Sequence, residues 1–147
     1  MGWVDAHLEE PTDTVCTLAD TDYALAGAKY IHEASGDWSL ASSNRLQHRG
    51  RSEESYQVSV QIVASCGGGA DVTLRIGTWD HATQGVTMHD DFDATSSIAT
   101  SSVRPIMLTG ILTLAAGLSE IELFVRSATA GRTVTVHSLT LDLVQAG

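Results

Sequence analysis

Twelve consecutive residues, Ser55 to Cys66 (SYQVSVQIVASC), alternate in character for their whole length, and Gly67, Gly68 and Gly69 end the run. Tyr56, Val58, Val60, Ile62, Ala64 and Cys66 fall on one side. Ser55, Gln57, Ser59, Gln61 and Ser65 fall on the other, with Val63 the one exception. A period of two is that of a β-strand with one face in a core and the other in water or against a partner. The same period recurs along the chain and no helical period competes with it. The sequence therefore specifies an all-β sandwich or barrel.

The remaining strands follow from the same rule. Thr14 to Leu18, Tyr23 to Ala28, Tyr30 to Ala34, Trp38 to Leu40 and Arg45 to Arg49 read as short strands, separated by Ser35-Gly36-Asp37 and Ser42-Ser43-Asn44 turns. Asp71 to Trp79 alternates through Val72, Leu74 and Ile76. Asp80 to Asp93 is polar, with a short strand near Val86 to His89, and Thr95 to Ser102 suits an edge strand. Pro105 fits the start of a strand, where its missing N–H costs nothing. Ile106, Leu108, Leu112 and Leu114 share a face, as do Ile121, Leu123 and Val125. The last strand, Arg132 to Val144, changes phase: Val134 and Val136 are even, while Leu139, Leu141 and Leu143 are odd. A β-bulge near His137-Ser138 accounts for this, because one extra residue flips every side chain that follows. Short strands with turns at about 8–12-residue spacing indicate a single antiparallel β-sandwich of jelly-roll type. Residues 14–147 are expected to form it, preceded by an extended N-terminal arm over residues 1–13.

The 147-residue length suits one domain with a sizeable core. The formal charge of −10 argues against nucleic acid or an anionic membrane as partner, since both need a positive surface. Asp5, Glu9, Glu10, Asp13, Asp20 and Asp22 all precede the first basic residue, Lys29. Such an arm is either a solvated acidic tail or a segment that docks on a basic surface. Trp3, Val4 and Leu8 are its apolar anchors, and with Glu9 and Glu10 they are the candidate partner-binding residues. Met1 to Pro11 lacks the basic and apolar regions of a secretory signal, and no 18-residue apolar run is present. Synthesis in the cytoplasm is the expectation. Cys16 and Cys66 sit in apolar strand contexts and are expected as buried free thiols.

From Ser42 onward the order of signals resembles a known family, the small jelly-roll modules of tailed-phage virion proteins, which are similar to TNF and C1q heads. Asn44-Arg45-Leu46-Gln47-His48-Arg49-Gly50 followed by Tyr56-Gln57-Val58-Ser59-Val60 resembles that family's glycine-closed strand and the long alternating strand after it. His48 stands where the family often has Tyr. Gly110-Ile111-Leu112-Thr113-Leu114, Gly117 and Ile121-Glu122-Leu123-Phe124-Val125 resemble its late hairpin, with Leu118-Ser119 departing from the usual turn pair. Thr133-Val134-Thr135-Val136 through Leu143 resembles its closing strand. The resemblance implies a homotrimer on a virus particle, with the major capsid protein of the same virion as partner. The roles it implies are capsid decoration (cement) on the outer capsid surface, a head fibre, or a receptor-binding tail-fibre tip. The outward apolar residues Met107, Ile111 and Phe124 agree with a subunit interface, because they cannot all face one domain's core.

No catalytic set stands on this scaffold. G-x-S-x-G, a paired zinc-protease histidine and a phosphate loop are all missing from the sequence. The expectation is a protein that is not an enzyme and needs no cofactor. The candidate metal ligands are His81, His89, Asp90, Asp91 and Asp93, whose spacing matches no ligand pattern, so a solvated acidic loop is the competing reading. Arg45, Arg49 and Arg51 form the one basic cluster. Trp38 and Trp79 sit in strand patterns and are expected in the core rather than on a sugar platform. A carbohydrate-binding or glycan-active sandwich is the remaining alternative, and it lacks a pair of carboxylates flanking a cleft.

Overall fold

The computed structural model describes residues 2–8, 10–25, 30–35, 37–40, 45–80 and 82–146, with the backbone alone at residues 30–32. Glu9, His81, Gly36 and the expected turn at Ser42-Ser43-Asn44 lie outside the described residues. The strands in chain order are β1 (Trp3–Leu8), β2 (Thr12–Cys16), β3 (Tyr23–Ala24), β4 (Tyr30–Ala34), β5 (Trp38–Leu40), β6 (Leu46–Gly50) and β7 (Glu54–Cys66). They continue as β8 (Ala70–Asp80), β9 (Val86–Met88), β10 (Ala94–Ile98), β11 (Val103–Leu114), β12 (Gly117–Ser127) and β13 (Arg132–Gln145). A 3-10 turn, Asp90–Phe92, joins β9 to β10.

Two antiparallel sheets form the sandwich. The first runs β11-β7-β13-β1-β4, with β2 also on β13. The second runs β10-β8-β12-β6-β5, with β3 also on β12 and β9 also on β8. Tyr56, Val58, Val60, Ile62, Ala64 and Cys66 are all at most 1% exposed, and they face Leu74, Ile76, Leu123 and Val125 in one core. Each fully buried Ile or Leu side chain there contributes about 1.5–3 kcal/mol. The glycine turn after β7 is tight because Gly68 and Gly69 both have positive φ (85° and 76°), which a Cβ would oppose.

The phase change in β13 is a bulge. The register against β7 shifts between Val136 and Ser138, leaving His137 as the extra residue. Val134, Val136, Leu139, Leu141 and Leu143 all stay at most 2% exposed as a result. The bulge also marks a change of partner: Arg132 to Val136 pair with β2, and Thr140 to Val144 pair with β1.

Residues 3–8 and 12–13 do not form a free arm. β1 lies between β13 and β4, and β2 extends the same sheet. Val4 and Ala6 are 2% and 0% exposed, and Leu8 packs against the core. Their alternation with Trp3, Asp5 and His7 is a strand pattern, short and obscured by the neighbouring acids. Hydrogen bonding along β13 covers an edge that would otherwise stay open. Pro105 lies in β11, the edge strand of the first sheet, as its missing donor requires.

Candidate functional site

The outer face of the first sheet carries the exposed apolar residues. Register aligns Trp3, Val144, Gln57 and Ile111 in one row across β1, β13, β7 and β11. Trp3 is 41% exposed, Val144 50% and Ile111 62%. Two rows along, His7, Thr140, Gln61 and Met107 align, with Met107 59% exposed. Between them runs a polar row: Glu33, Asp5, Asp142, Ser59 and Thr109. Burial, and then the facing Asp5, hold Asp142 above the usual carboxylate range.

Of the residues expected to bind a partner, Trp3 is on this face and Glu10 is exposed. Val4 and Leu8 point the other way, into the sandwich, because opposite parity in one strand means opposite faces. Phe124 does not join Met107 and Ile111. It belongs to β12 in the second sheet and is 7% exposed. A Cβ on Gly77 would stand 3.0 Å from Phe124 Cε2, 2.9 Å from Met88 Sδ and 2.9 Å from Val86 Cγ2. The bare glycine thus leaves room for the Phe124 ring to meet Met88 and Val86 of β9 above it, and Phe124 is buried within its own chain.

The acidic loop is solvent-exposed at Asp90, Asp91 and Asp93, and two of these acids, Asp90 and Asp93, pair with an arginine. Arg75, with its side chain 6% exposed, reaches it from β8. Its Nε donates to both carboxylate oxygens of Asp93, at 3.0 and 3.1 Å. Its Nη1 donates to Asp22 and its Nη2 to Asp90. Asp22 also accepts from Arg126 Nε at 3.2 Å. Burial by itself would lower the Arg75 pKa, but hydrogen bonds to Asp22 and Asp93 outweigh it and raise the pKa above the ordinary guanidinium value. Burial holds His89 below the usual imidazole range against the opposing pull of Asp90 and Asp91, and its Nε2 lies 2.9 Å from Thr78 Oγ1. Asp91 is exposed.

Trp79 is not in the core. On the outer face of the second sheet it lies under Arg45, whose guanidinium carbon is 3.9 Å from the ring centroid. Trp79 Nε1 donates to Glu122 at 2.9 Å, and Arg45 Nη1 donates to Glu120 at 3.2 Å. Trp38 is core, 5% exposed. Cys16 and Cys66 are buried free thiols.

A further cluster went unread in the sequence. It gathers at one end of β5, β6 and β7. His48 is fully buried, and its Nε2 lies 2.8 Å from Glu54 Oε2 and 3.2 Å from the Tyr56 hydroxyl. Tyr56 donates to the same Glu54 oxygen at 2.8 Å. Burial and that carboxylate push the Tyr56 pKa up to about 12. Trp38 closes the inner side, 4.7 Å from the His48 ring and edge-on to Tyr56 at 5.1 Å. Asp37 completes the group: one ligating atom from each of Asp37, His48 and Glu54 lies within 4.8 Å of the others. The signal for it was parity. His48 is in phase with the inward Leu46, and Glu54 with the inward Tyr56, and an inward polar side chain needs a partner.

No protein-family profile and no curated protein sequence matches the chain. Among solved structures it is similar to the Eiger TNF of S. frugiperda, with a TM-score of 0.63 and 14% identity over 100% of this chain and 94% of that one. The likeness shows the fold, a TNF-like jelly roll.

Proposed function

We propose that this TNF-like jelly roll is a structural rather than catalytic module that self-associates as a homotrimer through the outer face of its first sheet. Its setting, in this reading, is the outer surface of a virus particle, where it decorates the capsid by binding the major capsid protein. One observation carries the association: Trp3, Val144 and Ile111 are exposed in one row across four strands, interrupted by Gln57, with Met107 exposed two rows along. Large exposed apolar side chains gathered on one regular sheet face are what a partner subunit covers. The virion setting rests on the strand and turn patterns that resemble tailed-phage modules. Capsid decoration would stabilise a shell by spanning several capsomers, so that weak contacts add through multivalency.

Native mass at micromolar concentration tests the association, and co-sedimentation with undecorated capsids tests the setting. A trimer that sediments with capsids supports both parts. A monomer at high micromolar concentration removes the self-association reading, and a trimer that ignores capsids removes the virion one.

A receptor-binding tip is the second reading, favoured by surface relief around the segment 80–93. Asp80, Thr87 and Leu118 border a groove of about 430 Å³, and His89, Asp91 and Ile111 border another of about 460 Å³. Binding to host cells instead of capsids would select it.

A further inference from the structure

We propose that Asp37, His48 and Glu54 bind one divalent first-row transition ion, independently of how the chain assembles. Three features of the cluster lead there. The first is geometry: one ligating atom of each residue lies within 4.8 Å of the other two. An ion held at about 2.0–2.2 Å by three ligands wants them roughly 3.3 Å apart, so the side chains would draw together around it.

The second feature is an unpaid polar atom. The His48 side chain is 0% exposed, and its Nδ1 has no hydrogen-bond partner among the described residues. Hydrogen bonding to Glu54 and Tyr56 accounts for Nε2 alone. A buried nitrogen left without a partner destabilises the fold unless something satisfies it. The third feature is charge. Two carboxylates, Asp37 and Glu54, face one imidazole. A divalent cation balances the two carboxylate charges.

The donor set selects the ion class. One imidazole nitrogen with two carboxylate oxygens suits zinc and its first-row neighbours, whereas calcium and magnesium favour oxygen alone. Asp37 is exposed and Glu54 half-buried, which leaves an entry path from solvent. Trp38 and Tyr56 wall the opposite side. Coordination positions that these three ligands leave open would face solvent on the Asp37 side.

The test is titration of the full-length chain, stripped with chelator, with Zn²⁺ by calorimetry and with Co²⁺ by visible absorption. The expected result is one Zn²⁺ per chain, with Asp37→Asn weakening binding about 10-fold or more and Asp142→Asn leaving it unchanged. Because Asp37 is exposed, Asp37→Asn keeps the fold intact, as circular dichroism checks. His48→Gln is expected to abolish binding, and the Asp37 variant decides the matter if His48→Gln does not fold. Absence of saturable Zn²⁺ binding overturns the proposal. So does binding that Asp37→Asn leaves unchanged, since the ion would then sit elsewhere.

Discussion

Arg75 and Asp93 form a two-oxygen ion pair, with Nε of the buried arginine 3.0 and 3.1 Å from the two carboxylate oxygens. The pair ties the 3-10 turn between β9 and β10 to the middle of β8. With Asp22 and Asp90 on the remaining guanidinium nitrogens, it also ties in the segment before β3. Arg75→Ala would leave three carboxylates around a cavity. Breaking a buried ionic group by removing one partner costs about 3–5 kcal/mol, and Asp90, whose side chain is 75% exposed, can turn to water. The expected loss is therefore about 3 kcal/mol by urea denaturation. A loss below about 1 kcal/mol, the level of exposed pairs, would mean that the network does not hold the loop.

Asp142 and Asp5 face each other across β13 and β1, and burial followed by Asp5 raises the Asp142 pKa from its ordinary 3.8. A carboxyl whose pKa is raised on folding favours the folded state while protonated. That contribution is fully present below pH 3.8 and is lost as pH rises through the folded value. Asp142→Asn should therefore raise stability at pH 7 by about a few tenths of a kcal/mol, solvent screening included. At pH 3 the gain should vanish. Equal gains at both pH values would point to a cause other than charge.

Gly110 marks a close approach between β11 and the 3-10 turn. A Cβ there would stand 2.5 Å from Phe92 Cδ1 and Cε1. Gly110→Ala should displace the Phe92 ring from the core margin and destabilise by about 1–3 kcal/mol. Gly110→Ala combined with Phe92→Leu should recover part of that loss, measured as a shift in the denaturation midpoint. If the single variant is as stable as the parent, the ring does not rest on Gly110.

Ile111→Asp separates assembly from folding. The residue is 62% exposed, so the isolated chain should fold normally. In the proposed trimer an uncompensated carboxylate would be buried at the interface, and the native mass should fall to that of a monomer. Phe124→Leu, inside the chain's own cover, should leave the mass unchanged and lower stability instead.

Burial, followed by the neighbouring Cys66, raises the Cys16 pKa, and burial likewise raises that of Cys66. Thiolate is the reactive form, so both thiols should be slow toward a disulfide reagent at pH 8 and fast in urea. Rapid labelling of the folded chain would show local opening near β2.

The sequence by itself determined the elements whose signal is local. The period of two in β7 and the phase change at His137 were legible because inward side chains recur along one strand, whatever the strand pairs with. Burial of Trp38 and of the two cysteines followed from the same parity. Pairing between distant segments was decided by the tertiary structure. The acids around Trp3 to Leu8 looked like a solvated arm until β13 supplied an edge for β1. Phe124 looked outward, yet its ring meets Met88 and Val86 over Gly77. Asp90 and Asp93 read as a solvated loop, yet their partner is Arg75 on another strand, with Asp22 reaching it from far earlier in the chain. Asp37, His48 and Glu54 show no motif spacing, because three strands of the second and first sheets bring them together. Alternation records which face a residue occupies, whereas the residue it meets there depends on topology.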